Sequence, residues 1–215
     1  MQSVLVTGFE PFEGQAVNPS HELVRLLDGE TIAGHALVGA VLPVAFADAP
    51  TALARLVERH APALVLATGL AGGRAALSLE RVAINLADAR IADNAGARPV
   101  DAAVVAGGPD AYFSDLPLKA MRAAMRAAGA PTELSLSAGS FVCNQVFYAL
   151  CHLRATRLSS MRCGFLHLPW LPVQVLDLPL QPSMDIETMV AGVRAGIACA
   201  LGTTTDLAVG TGPTH

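Results

Sequence analysis

Cys143 stands where a thiol can do chemistry. The stretch Ser137-Ala138-Gly139-Ser140-Phe141-Val142-Cys143-Asn144-Gln145-Val146-Phe147-Tyr148 reads as a strand end, a tight turn of small residues and a helix start. Ser140 is a good N-cap, which puts Cys143 near the third position of the helix. There the unpaired amides and the positive end of the helix dipole lower a thiol's pKa and can hold an anion. The competing account is a buried free thiol that only fills core space. His167 ends a second apolar run. A thiol and an imidazole within hydrogen-bond reach are the minimum for a Cys-His nucleophile pair, whereas the plain alternative for His167 is a satisfied core or loop histidine. His21 and His152 fit ordinary helix positions, and His35, His60 and His215 read as surface residues. A third group should orient the imidazole, and Glu80, Asp88, Asp93, Asp101 and Asp177 are candidates. Glu80 lies inside an apolar, strand-like run, where an unpaired carboxylate is costly, though it could also pair with Arg81 on an exposed strand. Composition does not choose among these acids.

The elements that must position these groups alternate. Val4 to Gly8, His35 to Leu42 and Pro62 to Gly69 read as strands, with helical stretches from His21 to Leu27 and Ala45 to His60 between them. Ser78 to Leu86 alternates enough to suggest another strand. Arg90 to Gly108 is polar, turn-rich and suited to the surface. Tyr112 to Leu116, a helix from Leu118 to Ala128 and a strand from Thr132 to Ser137 precede the cysteine stretch, whose helix runs to about Arg154. Met161 to Leu168 is a further strand. A proline-rich segment then leads to a last helix from about Met184 to Leu201, capped by Ser183. Such alternation implies parallel strands in a sheet covered on both faces, with ligands at the strands' carboxyl ends. The expected fold class from this alternation is α/β, a sheet covered by helices on both faces. The chain is read as a single catalytic domain over residues 1–215, with a frayed tail from about 203.

The bulk numbers exclude several classes. Hydrophobic residues make up 53% of the chain and charged ones 15%, yet no uninterrupted apolar run is long enough to span a bilayer, so no membrane association is expected. The N-terminus enters a strand directly, without a basic stretch or cleavage signal, which points to the cytoplasm. The apolar surplus suggests burial in an oligomer interface. Net charge is −4 with no basic cluster, so nucleic acid is not an expected partner. The four cysteines form no CxxC pair, which argues against a structural zinc site. There is no G-x-G-x-x-G and no G-x-x-x-x-G-K; the Gly72-Gly73-Arg74 turn is at most weakly suggestive of anion binding.

Four motifs, in order, resemble one family. Gly8-Phe9-Glu10-Pro11-Phe12 with Asn18-Pro19-Ser20 is similar to the N-terminal signature of pyroglutamyl peptidase I. Leu79-Glu80-Arg81-Val82-Ala83-Ile84-Asn85 through Asp93-Asn94 resembles its glutamate motif. Ala138 to Asn144 with Phe147-Tyr148 resembles its cysteine motif, and Gly164-Phe165-Leu166-His167-Leu168-Pro169 its histidine motif. The resemblance implies a cysteine omega-peptidase that removes N-terminal pyroglutamate from peptides through a thioacyl-enzyme, without metal or other cofactor. Carried over by motif, Cys143 is the nucleophile, His167 the general base and acid, and Glu80 the orienting carboxylate. Arg90 is implied to support the oxyanion. Phe9, Phe12, Leu70, Ile91, Phe141 and Val142 are the expected substrate-binding walls. Leu70 stands where the family often has glutamine. The resemblance also implies a single-domain three-layer α/β/α sandwich with a twisted, mostly parallel mixed sheet of phosphorylase or hydrolase type, and a homo-oligomer, tetramer or dimer. A nucleoside phosphorylase of similar fold is a rival reading, but it should need a stronger phosphate cradle and no Cys143. A binding protein that kept the pocket and lost turnover is another, and the intact set of candidate residues argues against it.

Overall fold

Val4 to Phe9 is apolar on both faces except at Thr7, a pattern that suits a strand covered on both sides. As β1 (Ser3–Phe9) it runs through the middle of the sheet. The computed structural model describes residues 2–211; His215 lies outside them. After β1 come α1 (Pro19–Leu27), β2 (Thr31–Ile32), β3 (His35–Leu42), α2 (Asp48–His60), β4 (Leu64–Leu70), β5 (Leu77–Glu80) and β6 (Val82–Ile84). Then follow β7 (Ala111–Phe113), α3 (Leu118–Ala127), β8 (Thr132–Ser135), α4 (Val142–Arg157), β9 (Arg162–Leu168), a 3-10 turn (Pro172–Val175) and α5 (Ile186–Gly202). Asn18 starts α1 as the sequence suggests: its Oδ1 accepts the Ser20 amide at 3.0 Å, with Pro19 in the first turn.

The seven-stranded sheet has the order β2-β3-β1-β4-β9-β5-β8. Helices α1, α3 and α5 pack on the face carrying Val4, Val6, Leu66, Leu166 and Leu168. Helices α2 and α4 cover the other face, against Leu5, Val65, Ala67 and Phe165. The three-layer α/β/α expectation is therefore met. No helix among the described residues is long and apolar enough to cross a membrane.

The sheet is mostly parallel and mixed, as the resemblance implies and the alternation of strands and helices alone does not. Strands β3, β1, β4 and β9 are mutually parallel, but β5 runs antiparallel to β9 and carries β8 parallel to itself. The carboxyl end of β8 thus points away from the edge where β1, β4 and β9 end, so a strand end does not deliver Cys143 there. Helix α4 does: it leads back into β9 through a short turn, so its N-terminus lies over the carboxyl end of β9. The expected strand from Ser78 to Leu86 divides at Arg81. Its amide bonds Ser135 O at 2.9 Å in the main sheet, while its carbonyl accepts the Ser114 amide, and β6 leaves to pair with β7 in a separate ribbon.

Two caps also differ. The residue before α4 is Phe141, whose ring accepts nothing, so Cys143 is the second helical residue rather than the third. Ser140 Oγ instead donates to Asp88 O at 2.7 Å. Asp185, not Ser183, caps α5, its Oδ1 accepting the Thr188 amide at 2.7 Å. The described residues past Gly202 form no helix or strand, yet they are tied down: the Asp206 carboxylate accepts the amides of Lys119 and Ala120 at the start of α3.

Candidate active site

His167 and Phe165 point to the α2/α4 face of β9, two residues apart as strand pleating requires. On the neighbouring antiparallel strand Glu80 is in register with Phe165, one pleat below the imidazole. Its carboxylate reaches up to the ring: His167 Nδ1 donates to Glu80 Oε1 at 2.7 Å. Since an ionised carboxylate only accepts, this bond assigns the proton to Nδ1 and leaves Nε2 as the basic nitrogen. Both groups are buried, Glu80 completely.

Cys143 reaches the same place from above. Gly69, in register with His167 on the adjacent parallel strand, provides its seat. A Cβ at Gly69 would lie 2.7 Å from Cys143 Sγ and 3.1 Å from the Phe165 ring, so a glycine is required for this approach. Helix α4 is held there by Asn144. Its Oδ1 accepts the Ile84 amide at 3.0 Å, and its Nδ2 donates to the carbonyls of Ile84 and Leu86 at 2.8 and 3.0 Å. No side chain caps the first turn of α4, so its amides remain free for an anion beside the thiol.

The electrostatics reverse one expectation. Burial raises the Glu80 pKa, but the hydrogen bond and charge of His167, together with Ser135 and Arg74, outweigh it and hold the carboxyl below its ordinary value. Burial lowers the His167 pKa, opposed by Glu80 and aided by the Arg74 charge; the net shift is downward. The Cys143 thiol, expected to be acidified by its helix, is pushed up to about 12, first by burial and then by the Glu80 charge, against a smaller opposing effect of Arg74. Among the described residues no hydrogen bond joins the thiol to the ring. The resting pair is neutral, thiol and imidazole. Labelling of Cys143 by iodoacetamide, followed by peptide mapping, should therefore accelerate about tenfold per pH unit from about pH 7 to about pH 10. A plateau near neutrality would contradict this and indicate a thiolate-imidazolium pair.

Beside the thiol opens a cavity of about 110 Å³ lined by Phe9, Phe12, Asn18, Val44, Leu70, Ala138, Phe141, Val142 and Cys143. Five of the six expected walls line it, and Phe46 backs Phe141 edge-on, ring centroids 5.1 Å apart. Ile91 does not line it, and Arg90 is exposed, without a hydrogen bond or ion pair among the described residues. The reason is local. The Asp88 amide donates to Ser140 O at 3.0 Å, fixing the backbone beside α4; Ala89 turns into the core and Arg90 to solvent. The arginine at the site is Arg74, whose Nη1 donates to Glu80 Oε1 at 2.7 Å. The Gly72-Gly73-Arg74 turn carried a weak anion-binding signal, and the anion is the buried glutamate. Asn18, Val44, Ala138 and Asn144 also stand at the site without being among the expected site residues; Asn18, Ala138 and Asn144 belong to the motifs, and Val44 has no such signal. Among the described residues there is no cluster of three or more His, Cys, Asp or Glu suited to a metal ion.

Residues 2–203 match the family described as pyroglutamyl peptidase. The chain belongs to this family. It is 53% identical over 216 residues to the pyrrolidone-carboxylate peptidase of Cupriavidus necator, covering 100% of both chains, and 48% identical to that of Klebsiella pneumoniae, again covering 100% of both. Among solved structures, it is similar to pyroglutamyl peptidase I from Bacillus amyloliquefaciens, with a TM-score of 0.93 and 36% identity over 96% of this chain and 100% of that one. A pyrrolidone carboxyl peptidase variant from Pyrococcus furiosus gives a TM-score of 0.91 and 40% identity over 94% and 99%.

Proposed function

We propose that this chain is a cysteine omega-peptidase that hydrolyses the bond after an N-terminal pyroglutamyl residue, using Cys143, His167 and Glu80. The observation that carries the reading is the convergence of a fully buried Glu80-His167 hydrogen bond and the Cys143 thiol at the mouth of an apolar cavity, in a chain of this family. Pyroglutamate has no free amine and a flat lactam ring, so aromatic walls at Phe9, Phe12 and Phe141 suit it.

Because thiol and imidazole rest neutral, attack is assisted by a general base. His167 Nε2 takes the thiol proton as Sγ bonds to the acyl carbon of pyroglutamate. The developing oxyanion is met by the free amides at the start of α4, each such donor typically supplying about 3 kcal/mol to the transition state. Glu80 stabilises the imidazolium. The imidazolium then protonates the leaving amine as the C–N bond breaks, leaving a thioester. Water, deprotonated by the same nitrogen, attacks the thioester, and the thiol leaves with its proton restored.

The test is hydrolysis of pyroglutamyl aminomethylcoumarin amide. The prolyl amide, which carries a cation and lacks the ring carbonyl, should not be turned over; equal rates would overturn the assignment. Phe12→Ala should raise KM about tenfold, since a lost aromatic wall removes apolar contact with the ring. Arg157→Ala, at the exposed end of α4, should leave KM within about twofold; comparable effects would remove Phe12 from the pocket.

We also propose that the enzyme is a homo-oligomer. Val173, Leu176, Leu178 and Leu180 project from one segment, Leu176 78% exposed, an apolar patch that calls for cover. Sedimentation as a single 22.2 kDa species would contradict this.

A further inference from the structure

The β4–β5 loop, the buried end of β5 and the β8–α4 loop have no reason in sequence to keep a fixed spacing, yet they carry or flank every group proposed for catalysis. One side chain joins all three. Arg74 Nη1 donates to Glu80 Oε1 at 2.7 Å, and its Nη2 donates to Ser137 O, 63 positions away in the chain, at 3.1 Å. We propose that Arg74 is a positioning residue of this site, clamping the Glu80 carboxylate and the segment that leads into α4 so that imidazole and thiol keep a fixed spacing. The inference rests on the Cys-His-Glu reading above and deepens it.

Three features support the clamp. Glu80 Oε1 receives two donors, His167 Nδ1 and Arg74 Nη1, so Arg74 restrains the oxygen that orients the ring. Among the described residues Glu80 Oε2 accepts no hydrogen bond within 3.5 Å, so beside the weaker influence of Ser135 the two donors on Oε1 set the carboxylate's rotation. A planar guanidinium can bridge two acceptors at set angles, and an ammonium cannot. The arginine's charge has a second consequence. Burial lowers the imidazole's pKa most, the Glu80 carboxylate pulls the other way, and the positive charge of Arg74 adds a smaller downward push. The titratable groups facing His167 are Glu80 from β5, Arg74 from the β4–β5 loop and Cys143 from α4. Glu133 of β8 stands further out, bound to Ser78 Oγ at 2.7 Å.

The experiment compares kcat, KM and the pH profile of pyroglutamyl aminomethylcoumarin hydrolysis in wild type, Arg74→Gln, Arg74→Lys and Glu80→Gln. The fluorescence of Trp170, the single tryptophan, confirms folding of each. Arg74→Gln should lower kcat about 10- to 100-fold, as misplacement by a fraction of an ångström does. KM should stay within about threefold, and the acid limb of kcat/KM should move up. Arg74→Lys should restore the acid limb but only part of kcat. Wild-type kcat in Arg74→Gln, or a loss confined to KM with the acid limb unmoved, would overturn the proposal. Should Arg74→Gln fail to fold, Arg74→Lys decides, and wild-type kcat there overturns it equally. If Glu80→Gln keeps wild-type kcat, the triad reading fails and the clamp with it. If Glu80→Gln is inactive while Arg74→Gln is not, only the clamp fails.

Discussion

Cys143→Ser should lose at least about 10⁴-fold in kcat toward pyroglutamyl aminomethylcoumarin amide, with KM little changed. The side chain is nearly isosteric and its seat against Gly69 accepts it. The loss comes from chemistry: a hydroxyl is a poorer nucleophile than a thiol, and the imidazole beside it is a weakened base, its pKa already lowered by burial. The thiol itself is expensive to ionise here, pushed up to about 12, so transfer of its proton to His167 must accompany attack. Turnover within about 100-fold of wild type in Cys143→Ser would sink the thiol mechanism.

Glu80→Gln should reduce kcat by about 10²- to 10⁴-fold, because a neutral amide no longer stabilises the imidazolium that forms during attack. Arg74 Nη1 and His167 Nδ1 both donate to Oε1, so the amide keeps its oxygen at that place and the ring keeps its tautomer. What the variant removes is the negative charge beside the ring. The amide is the right substitution to make, since removing the side chain would leave Arg74 without its buried partner and confound the result with instability of about 3 to 5 kcal/mol. The same variant should change acid stability. Glu80 ionises below its ordinary 4.5 in the folded state, so its stabilisation is present above that value and lost as pH falls through the folded pKa. His167 also sits below its ordinary 6.5, so protons bind the unfolded chain first and stability starts to fall as pH drops below 6.5. Wild type should therefore melt lower with acidification through both windows, and Glu80→Gln should lose the lower one. A wild-type melting temperature independent of pH in this range would contradict the buried pair.

Much of the layout was legible in the chain. β3 falls at His35–Leu42, as read from its apolar run and the stop at Pro43. α1 starts at the Asn18-Pro19 signal, and the helix carrying the cysteine follows its small-residue turn. These readings rest on local rules, apolar periodicity and turn chemistry, that act over a few residues. The cavity walls Phe9, Phe12, Phe141 and Val142 were reachable through motif resemblance because they lie within the motifs, and Leu70 because it stands where the family often has glutamine. Arg90 and Ile91 lie within the glutamate motif and still do not line the cavity, because the chain bends there after the Asp88-Ser140 pairing, with Ala89 turned into the core and Arg90 to solvent.

The order of apolar runs, the breaks between them and the four motif residue types set the three-layer sheet and the identity of the thiol, the imidazole and one carboxylate among several. Strand direction was beyond their reach, since the alternation of a strand reads the same in either sense. β5 and β8 run against β9, and that reversal places Glu80 one pleat below His167 and leaves α4, rather than a strand end, to bring in the Cys143 thiol. The protonation states were beyond reach as well. A cysteine at a helix start predicts an acidic thiol from local dipoles alone; the folded chain buries it beside Glu80, and burial and that charge outweigh the helix. The partner of Glu80 likewise emerged only on folding, because Arg74 is six residues from it in the chain and only the turn between β4 and β5 swings the guanidinium onto the carboxylate.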